Sequence, residues 1–157
     1  MKTKTKFALI AVFLLTLFGG CFGGGGGSGG GNKNNHNAIV GEDKDGDLMR
    51  DDIALSIRGF TNDAKEQETM IKTARAFGAA IIAGGQKDEK AAEIARAQMA
   101  NALNCMRETF ADRQSYDEAS LFVELETTNT DERLFAYWRY NELLSGKTYN
   151  DSDRCER

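Results

Sequence analysis

Five aspartates that fall within ten consecutive positions have the clearest chemical potential in this chain. They are Asp43, Asp45, Asp47, Asp51 and Asp52. Carboxylates this close repel one another, and a hard cation that neutralises them keeps such a segment compact. Calcium suits this role because it accepts roughly six to eight oxygen ligands in flexible geometry. The run therefore predicts a calcium site. The alternative is a solvated acidic linker whose last two aspartates cap a helix.

Part of this run is similar to known calcium loops. Asp43, Asp45 and Asp47 alternate as ligands do in the D-x-D-x-D loops of EF-hands, and the shorter loops of excalibur and dockerin-type modules are also similar. The resemblance implies that Asp52 closes the coordination sphere, with Asp51 or the carbonyl of residue 49 between. When Asp43 is counted first, the sixth position is a leucine where EF-hands have glycine.

The same stretch resembles a D-x-N-x-N-G-x-R-D-D-(Val/Ile) segment that opens the helical region of some uncharacterised bacterial lipoproteins. Residues 50–53, Arg-Asp-Asp-Ile, match its ending. This resemblance covers about a dozen residues and implies no activity.

Histidine is too scarce here for the common nucleophilic sites. The single histidine, His36, lies in a polar stretch before the region predicted to fold, which excludes Ser-His-Asp and Cys-His sets within the fold. An envelope hydrolase that uses paired carboxylates is the second hypothesis, with candidates at Glu124, Glu126, Asp131 and Glu132. Because an acidic surface forms such pairs by chance, a non-enzymatic binding or interaction module is the first hypothesis. A purely structural spacer is the third.

The first twenty residues have the organisation of an export signal. Three lysines within six positions precede an apolar run at residues 7–18. Twelve residues form about 18 Å of helix, whereas a bilayer core is about 30 Å thick. The run ends in Gly-Gly-Cys21, which resembles the lipobox of bacterial lipoproteins. The resemblance implies a signal peptide at residues 1–20, cleavage before Cys21 and fatty acids such as palmitate on Cys21.

The residues after Cys21 predict where the protein resides. Lipoproteins that are retained at the inner membrane have aspartate directly after the lipidated cysteine, whereas this chain has Phe22. The resemblance to lipoproteins therefore implies the outer membrane, facing the periplasm, rather than the inner membrane. Residues 23–37 are glycine-rich and then asparagine-rich, with nothing apolar to bury, so residues 21–41 are predicted to be a flexible tether. A helical domain opened by the acidic loop should follow at residues 42–157. The expected partners are the membrane, through the lipid, and an unidentified envelope protein.

Composition supports a small exported helical domain. After removal of residues 1–20, 17 basic and 24 acidic residues remain, which gives a net charge of −7. The chain has no stripe of basic residues, and this argues against a nucleic-acid partner. The absence of proline favours helices. If Cys21 carries lipid, Cys105 and Cys155 form an even pair in an oxidising compartment, which favours a disulfide over two separate thiols.

Apolar spacing predicts an all-α bundle of four to five helices. The first should span residues 51–60, and the second should begin at a Thr61 or Asn62 cap and stop at Gly84-Gly85. The third, at residues 88–110, should pair with the second as an antiparallel hairpin. Capping patterns at Ser115 and Asn129 predict two more helices. The last of these carries four aromatic residues predicted to be core, namely Phe135, Tyr137, Trp138 and Tyr140.

Overall fold

The computed structural model describes residues 38–45, 49–150 and 154–156, all within one compact unit. Its five main helices are α1 (Asp51–Phe60), α2 (Ala64–Gln86), α3 (Glu89–Thr109), α4 (Arg113–Thr127) and α5 (Asp131–Leu144). Residues 38–40 are also helical, and the described ranges contain no strand. The predicted all-α bundle is confirmed. The predicted signal peptide, Cys21 and most of the tether lie outside the described residues.

Helices α2 and α3 form the central hairpin of the bundle. Alanines of both helices, including Ala80, Ala92 and Ala102, are completely buried. Such small side chains let two helix axes approach closely. Lys72 in the first half of α2 contacts Cys105 near the end of α3, as antiparallel pairing requires. The predicted hairpin is confirmed.

Larger apolar side chains from four helices close the core around this hairpin. Ile57 of α1, Met70 of α2, Met106 of α3 and Val123 of α4 are fully buried. Each such burial contributes about 1.5–3 kcal/mol relative to an exposed side chain. At the edge of this core, the rings of Phe60 and Phe122 join α1 to α4 with their centroids 4.6 Å apart.

Helix α5 crosses α2 at Gly84, where the two backbones come into contact. A methyl group added at Gly84 would overlap the carbonyl oxygen of Ala136 and lie 2.7 Å from the backbone nitrogen of Tyr140. The prediction that Gly84-Gly85 ends α2 is wrong, because α2 continues to Gln86 and ends at Lys87, which has a left-handed φ of 56°. The glycine is needed for the close crossing rather than for a helix stop.

Three helix caps differ from those predicted. Asp63 accepts the backbone N–H groups of two α2 residues, Asp112 accepts that of Ser115, and Thr130 accepts that of Arg133. The predicted caps at Thr61 or Asn62, Ser115 and Asn129 are therefore wrong by one to three residues. The hydrogen bonds from Ser115 also hold the pKa of Asp112 below its usual value.

Candidate functional site

Three of the five predicted calcium ligands converge in the acidic loop before α1. Asp43, Asp45 and Asp51 each offer one carboxylate oxygen, and these oxygens lie within 4.8 Å of one another. That separation is about twice a calcium–oxygen distance of roughly 2.4 Å, so one ion can reach all three. Asp45 is exposed and the other two are half-buried. Carbonyl groups or water would have to complete the shell.

The start of α1 closes this loop. Asp51 is the first helical residue, and its backbone N–H donates to the carbonyl of Glu42 at 3.0 Å. The backbone N–H of Lys44 donates in turn to Oδ1 of Asp51 at 3.3 Å. The positive end of the helix dipole stabilises a carboxylate at this position. The two bonds hold the loop ends together and bring Asp43 and Asp45 beside Asp51.

The two remaining predicted ligands are not part of this group. Asp47 lies outside the described residues. Asp52 faces Arg50 instead, accepting from Nε of Arg50 at 3.0 Å on one carboxylate oxygen and from Nη2 on the other. A carboxylate in a two-point contact with a guanidinium is held by geometry as well as charge. In this arrangement Asp52 is the counterion of Arg50.

Two buried arginines attach the acidic loop to the bundle. Nη1 of Arg50 donates to the carbonyl of Glu126 at 3.2 Å and to Oδ1 of Asn129 at 3.3 Å. Arg133 donates to the same Oδ1 at 2.8 Å. Burial, followed by the charge of Arg50, lowers the pKa of Arg133. Asn129 thus accepts from both arginines, and Thr130 caps α5 in its place. The capping pattern in the sequence did not indicate this pairing.

Residues 38–41 belong to this attached region, so the predicted tether extends too far. The carbonyl of Ile39 accepts from Nε of Arg133 at 3.1 Å. At Gly41, where φ is +78°, a methyl group would lie 2.8 Å from the Arg50 side chain. The apolar side chains of Ile39 and Val40 explain the difference, because they line a mainly apolar cavity of about 100 Å³ beside the loop. Ligand pockets usually measure about 300–1,000 Å³, so this cavity is too small for a drug-sized ligand.

The structure joins Cys105 of α3 to Cys155 of the carboxyl-terminal segment in a disulfide. The backbone N–H of Cys155 donates to Glu108 at 3.0 Å, and that of Glu156 donates to Oδ1 of Asn101 at 2.7 Å. Together with the disulfide, these bonds hold residues 155 and 156 against the second half of α3.

Residues just after α5 contact the first half of α3. Lys147 pairs with Glu89 and Glu93, and these two contacts raise its pKa. The Arg96 guanidinium lies 3.8 Å from the centre of the Tyr149 ring. The described parts of the carboxyl-terminal segment therefore follow α3 from its start to its end.

The aromatic residues of α5 divide between the core and the surface. Tyr140 is buried, which raises its pKa to about 12, and Tyr137 is half-buried. Phe135 and Trp138 are instead 59% and 61% exposed, so the prediction of four core aromatics is wrong for these two. Leu134, 53% exposed, lies beside them, and the three form what is called here the α5 outer face. At the close crossing with Gly84 the α5 residues in contact are Ala136 and Tyr140, which are both buried, while Leu134, Phe135 and Trp138 lie on other sides of the helix.

Comparisons with family models, curated proteins and solved structures give no match. The chemistry of the site therefore rests on the residues described above. Within the part of the chain that the structure describes, no helix is both long enough and apolar enough to span a bilayer.

The four carboxylates of the hydrolase hypothesis lie on two helices. Glu124 and Glu126 are half-buried on α4, and Glu126 accepts from the Ser56 hydroxyl at 3.1 Å. Asp131 and Glu132 are exposed in the first turn of α5. Glu126 thus has a structural contact to α1.

Proposed function

We propose that this protein is a lipid-anchored envelope lipoprotein that presents a non-enzymatic interaction domain on a flexible tether. The observation that carries the proposal is the disulfide between Cys105 and Cys155. Stable disulfides occur mainly in oxidising compartments such as the periplasm, which a chain reaches by export. The lipobox-like sequence at Cys21 supplies the anchor, since each buried methylene of an acyl chain contributes about 0.8 kcal/mol. The α5 outer face supports an interaction role.

Anchoring is tested by changing the proposed lipid attachment site. In a bacterial host, the wild-type chain should incorporate radiolabelled palmitate and sediment with membranes. Cys21→Ala should abolish the label and release the protein from the membrane fraction, because only acyl chains on this residue hold it there. Cys155→Ala is the matched control, since it removes another cysteine and should keep the label. Equal labelling or fractionation of wild type and Cys21→Ala would contradict the proposal.

Calcium binding by the acidic loop stays a prediction, and the convergence of Asp43, Asp45 and Asp51 supports it. For a Kd of about 0.5 mM, within the range of extracellular calcium modules, about 5 mM calcium adds roughly 1.4 kcal/mol to the free energy of unfolding. We expect the melting temperature to rise by about 5 °C. The ion would then fix the loop between tether and bundle.

Two aspartate variants separate calcium binding from a general salt effect. Asp45→Asn should lose the calcium-induced rise, and Asp117→Asn, which changes an exposed carboxylate on α4, should keep it. Isothermal titration of the wild type should show saturable heat. No heat at about 5–10 mM calcium, roughly ten times the weaker affinities of such modules, would end the idea.

A further inference from the structure

We propose that the α5 outer face binds a basic, amphipathic helical segment of a partner protein. This inference rests on the interaction module proposed above and specifies the class of its partner. Its starting point is the orientation of α5, which places Ala136 and Tyr140 against the bundle and leaves Leu134, Phe135 and Trp138 in solvent. In a surface helix the larger apolar side chains normally face the core.

The exposed apolar area is large enough for a binding site. Leu134, Phe135 and Trp138 lie at positions i, i+1 and i+4, so they share one side of the helix. At exposures of 53–61% they present on the order of 300–400 Å² of apolar surface. Patches of roughly this size are often functional on monomeric proteins. Tryptophan and phenylalanine are also enriched at the centres of protein interfaces.

Acidic side chains border this face at both ends. Asp131 and Glu132 precede it in the first turn of α5, and Glu142 follows it, spaced so that Asp131, Phe135, Trp138 and Glu142 line up along the helix. All three carboxylates are exposed, whereas Arg139 is the one exposed basic residue of α5. Within the described residues none of the three forms an ion pair at 4 Å or less. Lysine or arginine side chains at the borders of a partner helix would pair with them.

This charge distribution favours a basic protein segment over two other occupants. A second copy would bring an identical acidic border against the first, and like charges placed opposite each other disfavour pairing. An anionic lipid surface would repel the same carboxylates, and interfacial helices that bind such surfaces are rich in lysine and arginine. A helix with leucines on one side and lysines at its borders matches both the apolar centre and the acidic ends.

The single tryptophan of the chain reports on this surface directly, because Trp138 lies at its centre. We would titrate residues 21–157, which contain the whole compact unit, with Cys21→Ser and a synthetic leucine–lysine helical peptide. Trp138 emission should shift to shorter wavelength and saturate with a Kd on the order of 10 µM, as suits a small interface. The same peptide with glutamate in place of lysine should not bind, and added salt should weaken binding.

Surface variants show whether this face is the one that binds. Leu134→Ser with Phe135→Ser should weaken peptide binding, followed by calorimetry, at least tenfold. Leu121→Ser with Leu125→Ser on α4 is the matched control, because these leucines are 55% and 59% exposed, and it should leave the Kd unchanged. Glu132→Gln with Glu142→Gln, which keeps the apolar residues, should weaken binding roughly threefold to tenfold at low salt. This charge variant decides the question if the first pair impairs folding.

Three results would overturn the inference. The first is equal binding of the lysine and glutamate peptides. The second is a shift of Trp138 emission with anionic or zwitterionic phospholipid vesicles and no shift with the lysine peptide. The third is concentration-dependent dimerisation that buries Trp138. Because the titrated chain carries no lipid, its outcome is independent of anchoring. Failure of the peptide to bind therefore leaves the palmitate experiment unaffected, and the reverse also holds.

Discussion

Replacing Gly84 by alanine should destabilise the protein more than any other single methyl group added to α2. The added carbon would overlap the Ala136 carbonyl oxygen and press on the backbone nitrogen of Tyr140. Neither atom can rotate away as a flexible side chain can, so α5 must shift as a unit. We expect a loss of about 3 kcal/mol or more, which lowers the melting temperature by roughly 10 °C. Thermal unfolding followed by circular dichroism measures this change.

Two other glycines of α2 provide graded controls. At Gly85 an added methyl group meets the Ile39 side chain at 2.8 Å, which can move, so Gly85→Ala should have a smaller effect. At Gly78 nothing lies within 4 Å, so Gly78→Ala should stabilise the helix by about 0.5–1 kcal/mol. Equal effects at Gly84 and Gly78 would show that the crossing does not depend on backbone contact.

Gly84 shows which part of the fold could not be predicted from the sequence. Apolar spacing was enough to predict the helices, because burial of a stripe at every third or fourth residue is a local property of the chain. Whether a glycine pair stops a helix or admits a neighbouring helix depends on what packs there. That information lies in α5, more than forty residues later.

The exposed face of α5 was missed for a related reason. The sequence of α5 is apolar on several sides, so spacing alone does not say which side faces the core. In the structure the backbone of α5 at Ala136 and Tyr140 crosses α2 at Gly84, and Phe135 and Trp138 lie outside this contact. The orientation of α5 therefore depends on a contact with α2 that is distant in the sequence.

The acidic loop was predicted in part. Alternating aspartates indicated a group of carboxylates, and Asp43, Asp45 and Asp51 converge. Nothing in the local pattern separates Asp52 from them, because its partner Arg50 is positioned by contacts to Glu126 and Asn129. Long-range hydrogen bonds of this kind leave no periodic signal in the chain.

Removing the disulfide should produce the other large loss of stability. The bridge closes a loop with a sequence separation of 50 residues. Opening it gives the unfolded chain back a conformational entropy worth about 4 kcal/mol at 25 °C. Cys155→Ala is the preferred variant, because it removes the sulfur atom of the half-buried Cys155 and leaves the buried Cys105 side chain in place. We expect the melting temperature to fall by roughly 10–15 °C while the helical content at low temperature stays near wild type.

Reduction of the disulfide measures its contribution to stability independently. Dithiothreitol should lower the melting temperature of the wild type to that of Cys155→Ala and leave the variant itself unchanged. In the disulfide-bonded structure Lys147 pairs with Glu89 and Glu93, and these contacts do not involve the bridge. We therefore expect the loss to be largest near Asn101 and Glu108, where residues 155 and 156 are held. Hydrogen exchange would locate it there. A melting temperature that dithiothreitol does not change would mean that the bridge is absent from the folded protein, and the support it gives to export would be lost.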